Sequence, residues 1–422
     1  MNRKQLVILL VLVIILGAAG LLLRQHSQSS WQSAGKRIGQ KLLGDNFPVN
    51  DVAQIALKQG TNELSLVKKD NLWRVRERND YPASFQEISD FLLKARDLKI
   101  VQTEKAGPSQ LPRLALVPGQ GSNAALVVDF KDQHGKTIQS LLLGKKHLRK
   151  SERPSPFGDM GDEGWPDGRY VKAGSQPQEV ALISDALSNI EPRPEQWLNK
   201  DFFKIEKIRS LAATFPNATN SWKLTRDTEA GEWKLAEAKP GEQLDATKAS
   251  GVASPLGAPS FTDVAAGAKP ATLGLDKPTV VSVETFDNFT YTLKLGQKTN
   301  DNYPLTLTVA GQFPKERAPG KDEKPEDKTR LDKEFKDNQK KLEEKLSQEK
   351  TYEPWTYLVS TWTVESLLKE RSQLLVEKKE EPKKEEPKAE EPKKDEKPPV
   401  TPPPPKPADT TAKPAAPSPG AK

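Results

Sequence analysis

A pair of leucine-rich motifs, Leu114-Ala-Leu-Val-Pro and Leu141-Leu-Leu-Gly-Lys, occurs twice in this 422-residue chain and determines its predicted fold. In the second version, Leu273-Gly-Leu-Asp-Lys-Pro is followed by Leu293-Lys-Leu-Gly-Gln. Self-similarity along a sequence indicates a structural unit that is present more than once. The chain is therefore expected to contain two tandem copies of one supersecondary unit.

Further paired motifs surround these stretches. Leu72-Trp-Arg-Val corresponds to Trp233-Lys-Leu, and Leu126-Val-Val-Asp-Phe corresponds to Val281-Ser-Val-Glu-Thr-Phe. Short runs rich in β-branched and aromatic residues are typical of strands. The fold class is therefore predicted to be α+β, with two repeated modules of short antiparallel strands plus amphipathic helices. Trp73 and Trp233 should then occupy equivalent and largely buried positions.

The first module is predicted to span residues 49–191 and to open with a hairpin and a helix. Its first strands are placed at residues 53–57, 64–68 and 72–76, with Lys69-Asp-Asn as the turn before the third strand. Ser84 and Glu87 have the spacing of a capping box, and apolar residues then recur every three or four positions. This pattern predicts an amphipathic helix over residues 84–98.

The rest of the first module alternates again. The predicted elements are strands at residues 125–130, 137–143 and 168–172, a helix at 179–190, and an exposed loop at 147–166. The second module, residues 192–376, should repeat this order and end in a helix over residues 364–375.

The N-terminus carries an apolar segment at residues 6–23, preceded by Arg3-Lys4. About 20 apolar residues suffice to cross a bilayer core as a helix. A cleaved signal peptide is the alternative, but Leu21-Leu-Leu continues the apolar run beyond the weak site Gly17-Ala-Ala. Residues 1–24 are therefore predicted to be a single-pass anchor in the cytoplasmic membrane. The bulk of the chain would lie on the periplasmic or extracellular side, behind a juxtamembrane linker at 25–48.

Two further segments stand outside the repeat. Residues 315–350 are highly charged with a thin apolar seam, which indicates a solvated helix in preference to a short coiled coil. Residues 377–422 repeat Glu-Glu-Pro-Lys and end in Pro402-Pro-Pro-Pro, so this tail is predicted to be disordered. It could act as a tether, as a spacer that contacts the cell wall, or as a ligand for a proline-binding domain.

Composition excludes several classes of chemistry. The chain has no cysteine, so disulfides, thiol nucleophiles and cysteine-ligated metals are ruled out. Its 65 basic and 58 acidic residues are interspersed, which does not suit a nucleic-acid binder. His26, His134 and His147 are the only histidines, and no nucleophile elbow, zinc helix or phosphate loop occurs. We therefore expect a non-enzymatic protein with no catalytic, cofactor-binding or metal-binding residues.

Two sets of residues, an acidic cluster and the tryptophans, leave a binding role open. Asp159, Asp162, Glu163 and Asp167 lie close together among glycines and could surround a hard cation such as calcium, although their spacing is not that of an EF-hand. A solvated loop is the simpler interpretation. Several tryptophans could stack on sugars, but core packing is the simpler role for those on strands.

The order and duplication of these motifs resemble the bacterial domain-of-unknown-function family 4340 (DUF4340). The resemblance extends over residues 49–375 and rests on Asp70-Asn-Leu-Trp-Arg-Val together with the two Leu-rich motif pairs. The family has no established activity or catalytic residues. Some members are encoded beside, or fused to, auxiliary components of gliding-motility-type ABC transporters, which implies an accessory role in the envelope.

These observations favour a membrane-anchored, non-catalytic accessory or scaffold protein that is associated with an ABC-type export or motility complex. The alternative is an envelope module that binds the cell wall or a polysaccharide, through the repeated domain or the tail. An unrecognised hydrolase is the third hypothesis.

Overall fold

Two antiparallel sheets with related strand orders form the described part of the chain. The computed structural model describes residues 37–121, 123–149, 164–174, 179–320 and 323–377. The mixture of sheets with a few helices confirms the α+β class. The predicted anchor and nearly all of the tail lie outside the described residues. Within the described ranges, no helix is both long and apolar enough to cross a membrane.

The first sheet contains β1 (Gln54–Gln59), β2 (Asn62–Lys69), β3 (Leu72–Val75), β4 (Tyr81–Pro82), β5 (Ile100–Lys105), β6 (Leu126–Lys131), β7 (Thr137–Arg149), β8 (Trp165–Ala173) and β9 (Glu179–Ile183). The second contains β10 (Ile208–Thr214), β11 (Trp222–Thr225), β12 (Lys234–Leu235), β13 (Asp263–Val264), β14 (Thr279–Thr285), β15 (Phe289–Leu295), β16 (Asn302–Gly311) and β17 (Tyr357–Ser360). The helices are α1 (Phe85–Asp97), α2 (Ala246–Ala253), α3 (Pro325–Lys350) and α4 (Thr361–Val364).

Strand order relates the two sheets. The first has the order β4-β3-β2-β1-β6-β7-β8-β9-β5, and the second has β12-β11-β10-β14-β15-β16-β17-β13. In each sheet a helix, α1 or α2, connects one edge to the strand at the opposite edge. Apart from β4, each strand of the first sheet thus has a counterpart in the second.

The hairpin and helix predicted near the start of the first sheet are confirmed. Asp70 and Asn71 both have positive φ, as the two central residues of a tight hairpin turn require. The Ser84 side chain accepts a hydrogen bond from the Glu87 backbone N–H and caps α1. The buried face of this helix consists of Ile88, Phe91, Leu92 and Ala95.

The repeated leucine motif forms the same contact in both sheets. Leu111–Leu114 and Pro270–Leu273 are single 3-10 turns, and each is followed by a left-handed residue, Ala115 or Gly274. The carbonyl oxygens of Leu114 and Leu273 press on the backbone of Gly144 and Gly296 so closely that an added Cβ would overlap them. Glycine is therefore required both at Gly144 within β7 and at Gly296 directly after β15.

Contacts between the sheets fix their relative position. Arg78 donates two hydrogen bonds of 2.7 Å to the carboxylate of Asp263 in the second sheet. The ring of Tyr81 on β4 packs edge-on against Phe261, Trp355 and Tyr357. Buried residues of both sheets belong to one continuous core. The junction is therefore an extension of the interior.

Two predicted helices are wrong. Residues 179–183 form β9, which is paired on both sides by β8 and β5, and residues 184–190 are irregular. A short apolar run does not distinguish a doubly paired strand from a helix. In residues 364–375, a capping box between Glu370 and Gln373 starts a separate 3-10 turn, Arg371–Leu374. Val364, Leu367 and Leu374 are nevertheless buried.

The two predicted insertions are also refined. The loop expected at 147–166 is wrong at both ends, because β7 continues to Arg149 and β8 starts at Trp165; residues 150–163 lie outside the described residues. Residues 325–350 do form a helix, α3, but it packs against β16, and no second helix of the described region pairs with it as a coiled coil would require. The module boundary at residues 191 and 192 stays a prediction.

Trp73 and Trp233 are equivalent by strand register but differ in burial. In the first sheet Val75 pairs with Leu66 of β2, and in the second Leu235 pairs with Leu224 of β11. Trp73 comes two residues before Val75 and Trp233 comes two residues before Leu235, so the two tryptophans occupy corresponding positions. Trp73 is only 6% exposed. Trp233 lies half-buried beside β12, with the Arg226 guanidinium 4.8 Å above its ring. The expectation that both are largely buried is therefore met fully by Trp73 and only in part by Trp233, which packs against the core from its edge.

Replacing Trp73 with alanine should lower the free energy of unfolding by about 3–5 kcal/mol, since it leaves a cavity in the core. The same change at Trp233 should cost clearly less, because its ring is partly in solvent already. Denaturant unfolding of the two variants checks this. An equal loss for both would contradict the burial difference.

Candidate functional site

A polar groove beside α1 is the best candidate for a functional site among the described residues. Two adjoining clefts of about 340 and 360 Å³ share Ser188, Asn189 and Ile190. We call them together the α1 groove; its other lining residues are Glu87, Lys94, Pro166, Asp167, Ser184, Asp185, Ala186, Leu187, Glu191, Arg193, Gln196 and Trp197.

The loop after β9 forms one wall of the α1 groove. Its Asp185 side chain accepts a 2.7 Å hydrogen bond from the backbone N–H of Leu187. Leu187 itself has a φ of 45°, in the left-handed region that leucine rarely adopts. Short polar residues that bond their own backbone compete with helix formation. This explains why residues 184–190 leave the helical pattern and line a groove instead.

A buried arginine supports this loop from below. Arg169 on β8 is 7% exposed, and its Nε donates a 2.8 Å hydrogen bond to the carbonyl oxygen of Gly144. Its Nη1 donates a 3.2 Å bond to the carbonyl oxygen of Leu187. Burial lowers the pKa of Arg169 to about 10, so the guanidinium stays charged at neutral pH. The same side chain therefore connects the groove loop to the glycine that meets the leucine motif.

The charged side chains of the groove are mostly paired. Lys94 lies 4.0 Å from Asp185, and Arg193 lies 2.5 Å from Glu191. These partly exposed pairs add little stability. They give the groove a mixed, hydrogen-bonding surface, which suits a polar ligand or a peptide better than an apolar one.

A histidine–aspartate pair stands at the rim. His147 Nδ1 is 2.6 Å from Asp167 Oδ1, and this contact lowers the pKa of the Asp167 carboxyl. Such a pair can orient a general base. Across the described part of the chain, however, no hydroxyl makes a hydrogen bond to His147, so the nucleophile of a hydrolytic triad is not in place there.

The acidic cluster considered for a cation is only partly described. Asp167 lies on β8 and bonds to His147, while Asp159, Asp162 and Glu163 lie outside the described residues. In the ranges that the structure describes, no group of three or more His, Asp or Glu side chains is arranged to hold a metal.

The other histidines are not brought to the α1 groove. His134 lines a separate cleft of about 570 Å³ at the β6–β7 turn, together with Lys68, Asp70 and Asp132. His26 lies outside the described residues. The groove loop itself was missed by sequence reasoning, although Ser184, Asp185, Ser188 and Asn189 are residues that favour turns.

The tryptophans divide into core and surface. Trp73, Trp197 and Trp222 are buried, whereas Trp165 is 53% exposed and Trp362 is 84% exposed. Trp362 stands on α4, whose first residue is held by a backbone hydrogen bond of 3.2 Å from Thr361 N–H to the Asp301 carbonyl. Trp362 therefore presents its indole to solvent from a short helix whose start is held by a backbone hydrogen bond.

The described residues form a pair of joined antiparallel sheets with a polar groove beside α1. Residues 159–278 match the family model described as Domain of unknown function (DUF4340), which supports the resemblance to that family over this part of the chain. The match includes the groove loop, the inter-sheet segment and the second leucine turn. No curated protein matches the chain. No solved structure matches it either.

Replacing Arg169 with methionine should open the groove loop. The change removes both donors: the Gly144 carbonyl loses its buried hydrogen bond from the guanidinium, and the Leu187 carbonyl keeps only its bond from the Ile190 backbone N–H, at a cost of about 1–3 kcal/mol. Hydrogen exchange of residues 184–190 should accelerate correspondingly. Lys172→Met, on the same strand, serves as the control and should leave this exchange unchanged. Unaltered exchange in Arg169→Met would show that the loop holds its conformation without the guanidinium.

Proposed function

We propose that the chain is a membrane-anchored, non-catalytic scaffold of the bacterial envelope that works with an ABC-type export or motility complex. Residues 1–24 would provide the anchor and residues 377–422 a tether. The binding body on the outer side of the membrane would be residues 37–376, because Leu42, Leu43 and Phe47, which lie in the predicted linker, are buried in the core. The two sheets would be two copies of one ancestral unit, as their strand orders suggest.

The observation that carries the scaffold proposal is the fixed junction between the sheets. Neighbouring domains usually move relative to one another unless their interface is large and apolar. Here the core is continuous, and the Arg78–Asp263 pair adds a bidentate contact with fixed geometry. A body of this kind supports binding surfaces at a constant separation, which is what a scaffold needs.

Trp362 is the most direct candidate for a partner contact. Tryptophan is enriched among the residues that dominate binding energy in protein interfaces. Its backbone lies on α4, and Val364 of the same helix is 1% exposed, so the indole stands on a turn that is anchored in the core.

A polysaccharide-binding module is the second candidate function. It is favoured by the two exposed tryptophans, Trp165 and Trp362, because sugar rings stack on aromatic faces. Both tryptophans lie on strands or turns whose backbones are held in place.

The test is affinity purification of the full chain from detergent-solubilised membranes. We expect transporter ATPase or permease subunits to co-purify, and Trp362→Ser to lower their recovery by about tenfold or more, as for an interface hot spot. Phe85→Ser is the matched control, since Phe85 is 69% exposed but lies on α1.

Other results would decide against the scaffold. A full chain that recovers no transporter subunit, but sediments with purified peptidoglycan in a Trp362-dependent manner, would favour the polysaccharide-binding module. Equal recovery by Trp362→Ser and the unaltered chain would remove Trp362 from the interface.

A further inference from the structure

The last turn of α3 buries a carboxylate against the second sheet. Glu349 is 4% exposed. Its Oε2 accepts a 2.5 Å hydrogen bond from the Tyr291 hydroxyl on β15, and its Oε1 accepts a 3.3 Å bond from the backbone N–H of Lys204. Glu349 therefore joins three parts of the molecule: the inserted helix, the sheet and the segment that connects the two sheets.

The charges around Glu349 only partly compensate its burial. On its own helix Lys345 lies 3.8 Å from Oε1, but the Lys345 ammonium also donates to the Lys204 carbonyl and lies over the Phe289 ring. Tyr352 faces it from the following turn and Glu206 from the connecting segment, together with Tyr291 from β15. Burial is the largest influence and raises the pKa of Glu349, while the Tyr291 hydrogen bond opposes the rise.

We call the surface of the second sheet under α3, which includes Phe286 and Phe313, the α3 seat. Away from Glu349 this surface is incompletely packed. A cavity of about 190 Å³ lies between the helix and the β14–β15 turn, lined by Phe286, Phe313, Phe335 and Leu342 among others. All four of these side chains are only half-buried. Because the middle of α3 packs incompletely against the sheet, the contacts of Glu349 contribute a large share of the interactions that bind α3 to the second sheet.

We propose that Glu349 is a proton-operated latch that controls how firmly α3 docks on the second sheet. Docking buries the carboxyl group, and this burial outweighs the contacts with Tyr291, Lys204 and Lys345 that favour the ionised form, so the docked state favours the protonated form. A carboxyl whose pKa is raised on docking contributes stability that is complete at low pH and is lost as pH rises through that raised pKa. Deprotonation therefore weakens docking and exposes the aromatic residues that α3 covers, Phe286 and Phe313 among them.

The test uses spin labels on the full chain in detergent. The chain has no native cysteine, so Thr290→Cys and Lys336→Cys, both at exposed positions, give a single labelled pair across the α3 seat. Distance distributions are measured from about pH 4 to about pH 9, a range that includes the ordinary glutamate pKa and values well above it. The ratio of undocked to docked molecules should rise with pH, by at most about tenfold per unit, because one proton is involved.

Three variants test the assignment to Glu349. Glu349→Gln should stay docked and lose the pH dependence. Tyr291→Phe should move the rise to higher pH, because the hydroxyl that opposes the raised pKa is removed. Glu343→Gln, an exposed position on the same helix, should behave like the unaltered chain.

The proposal is overturned if the unaltered chain shows one pH-independent distance, or if Glu349→Gln keeps the original pH dependence. A Glu349→Gln chain that is undocked at every pH would also contradict it, since the neutral side chain is expected to dock. Loss of pH dependence in Glu343→Gln would show that general charge, and not the buried carboxyl, governs docking.

Discussion

The close approach of a leucine carbonyl to a glycine, within β7 in the first sheet and directly after β15 in the second, is the constraint on which each sheet depends. In both sheets the chain leaves an edge strand, passes through a 3-10 turn and returns to the middle of the sheet. The turn lies directly on Gly144 or Gly296, where no side chain fits. In the first sheet, Arg169 adds a hydrogen bond to the Gly144 carbonyl and carries the constraint on to the groove loop.

The junction between the sheets turns two such units into one body. Arg78, Tyr81 and Asp263 hold it through a bidentate ion pair and an aromatic cluster, and the core continues across it. A protein built in this way has little freedom to open between its halves. The parts that can change conformation then lie at the surface. They are the α1 groove and the inserted helix α3, which is separated from the second sheet in part by a cavity.

Sequence reasoning was most successful where a pattern reflects local chemistry. The turn at Asp70-Asn follows from its turn residues, and the cap of α1 follows from Ser84. The corresponding positions of Trp73 and Trp233 in the two sheets follow from the repeated strand pattern. It failed at residues 179–190, because pairing on both sides of β9 is a tertiary property that a short apolar run does not reveal. The α1 groove, Arg169 and Glu349 were missed for the same reason: their roles depend on burial by elements distant in sequence.

Alanine substitutions at the repeated glycines test the central claim most directly. Gly144→Ala and Gly296→Ala should each lower the free energy of unfolding by about 1–3 kcal/mol, since the added methyl group meets a backbone carbonyl that cannot move aside. Gly251→Ala in α2, where the methyl group has open space, should be neutral or stabilising by up to about 1 kcal/mol. Denaturant unfolding measures all three. Unchanged stability in both Gly144→Ala and Gly296→Ala, or a loss in only one of them, would contradict the claim that both sheets are built around the same contact.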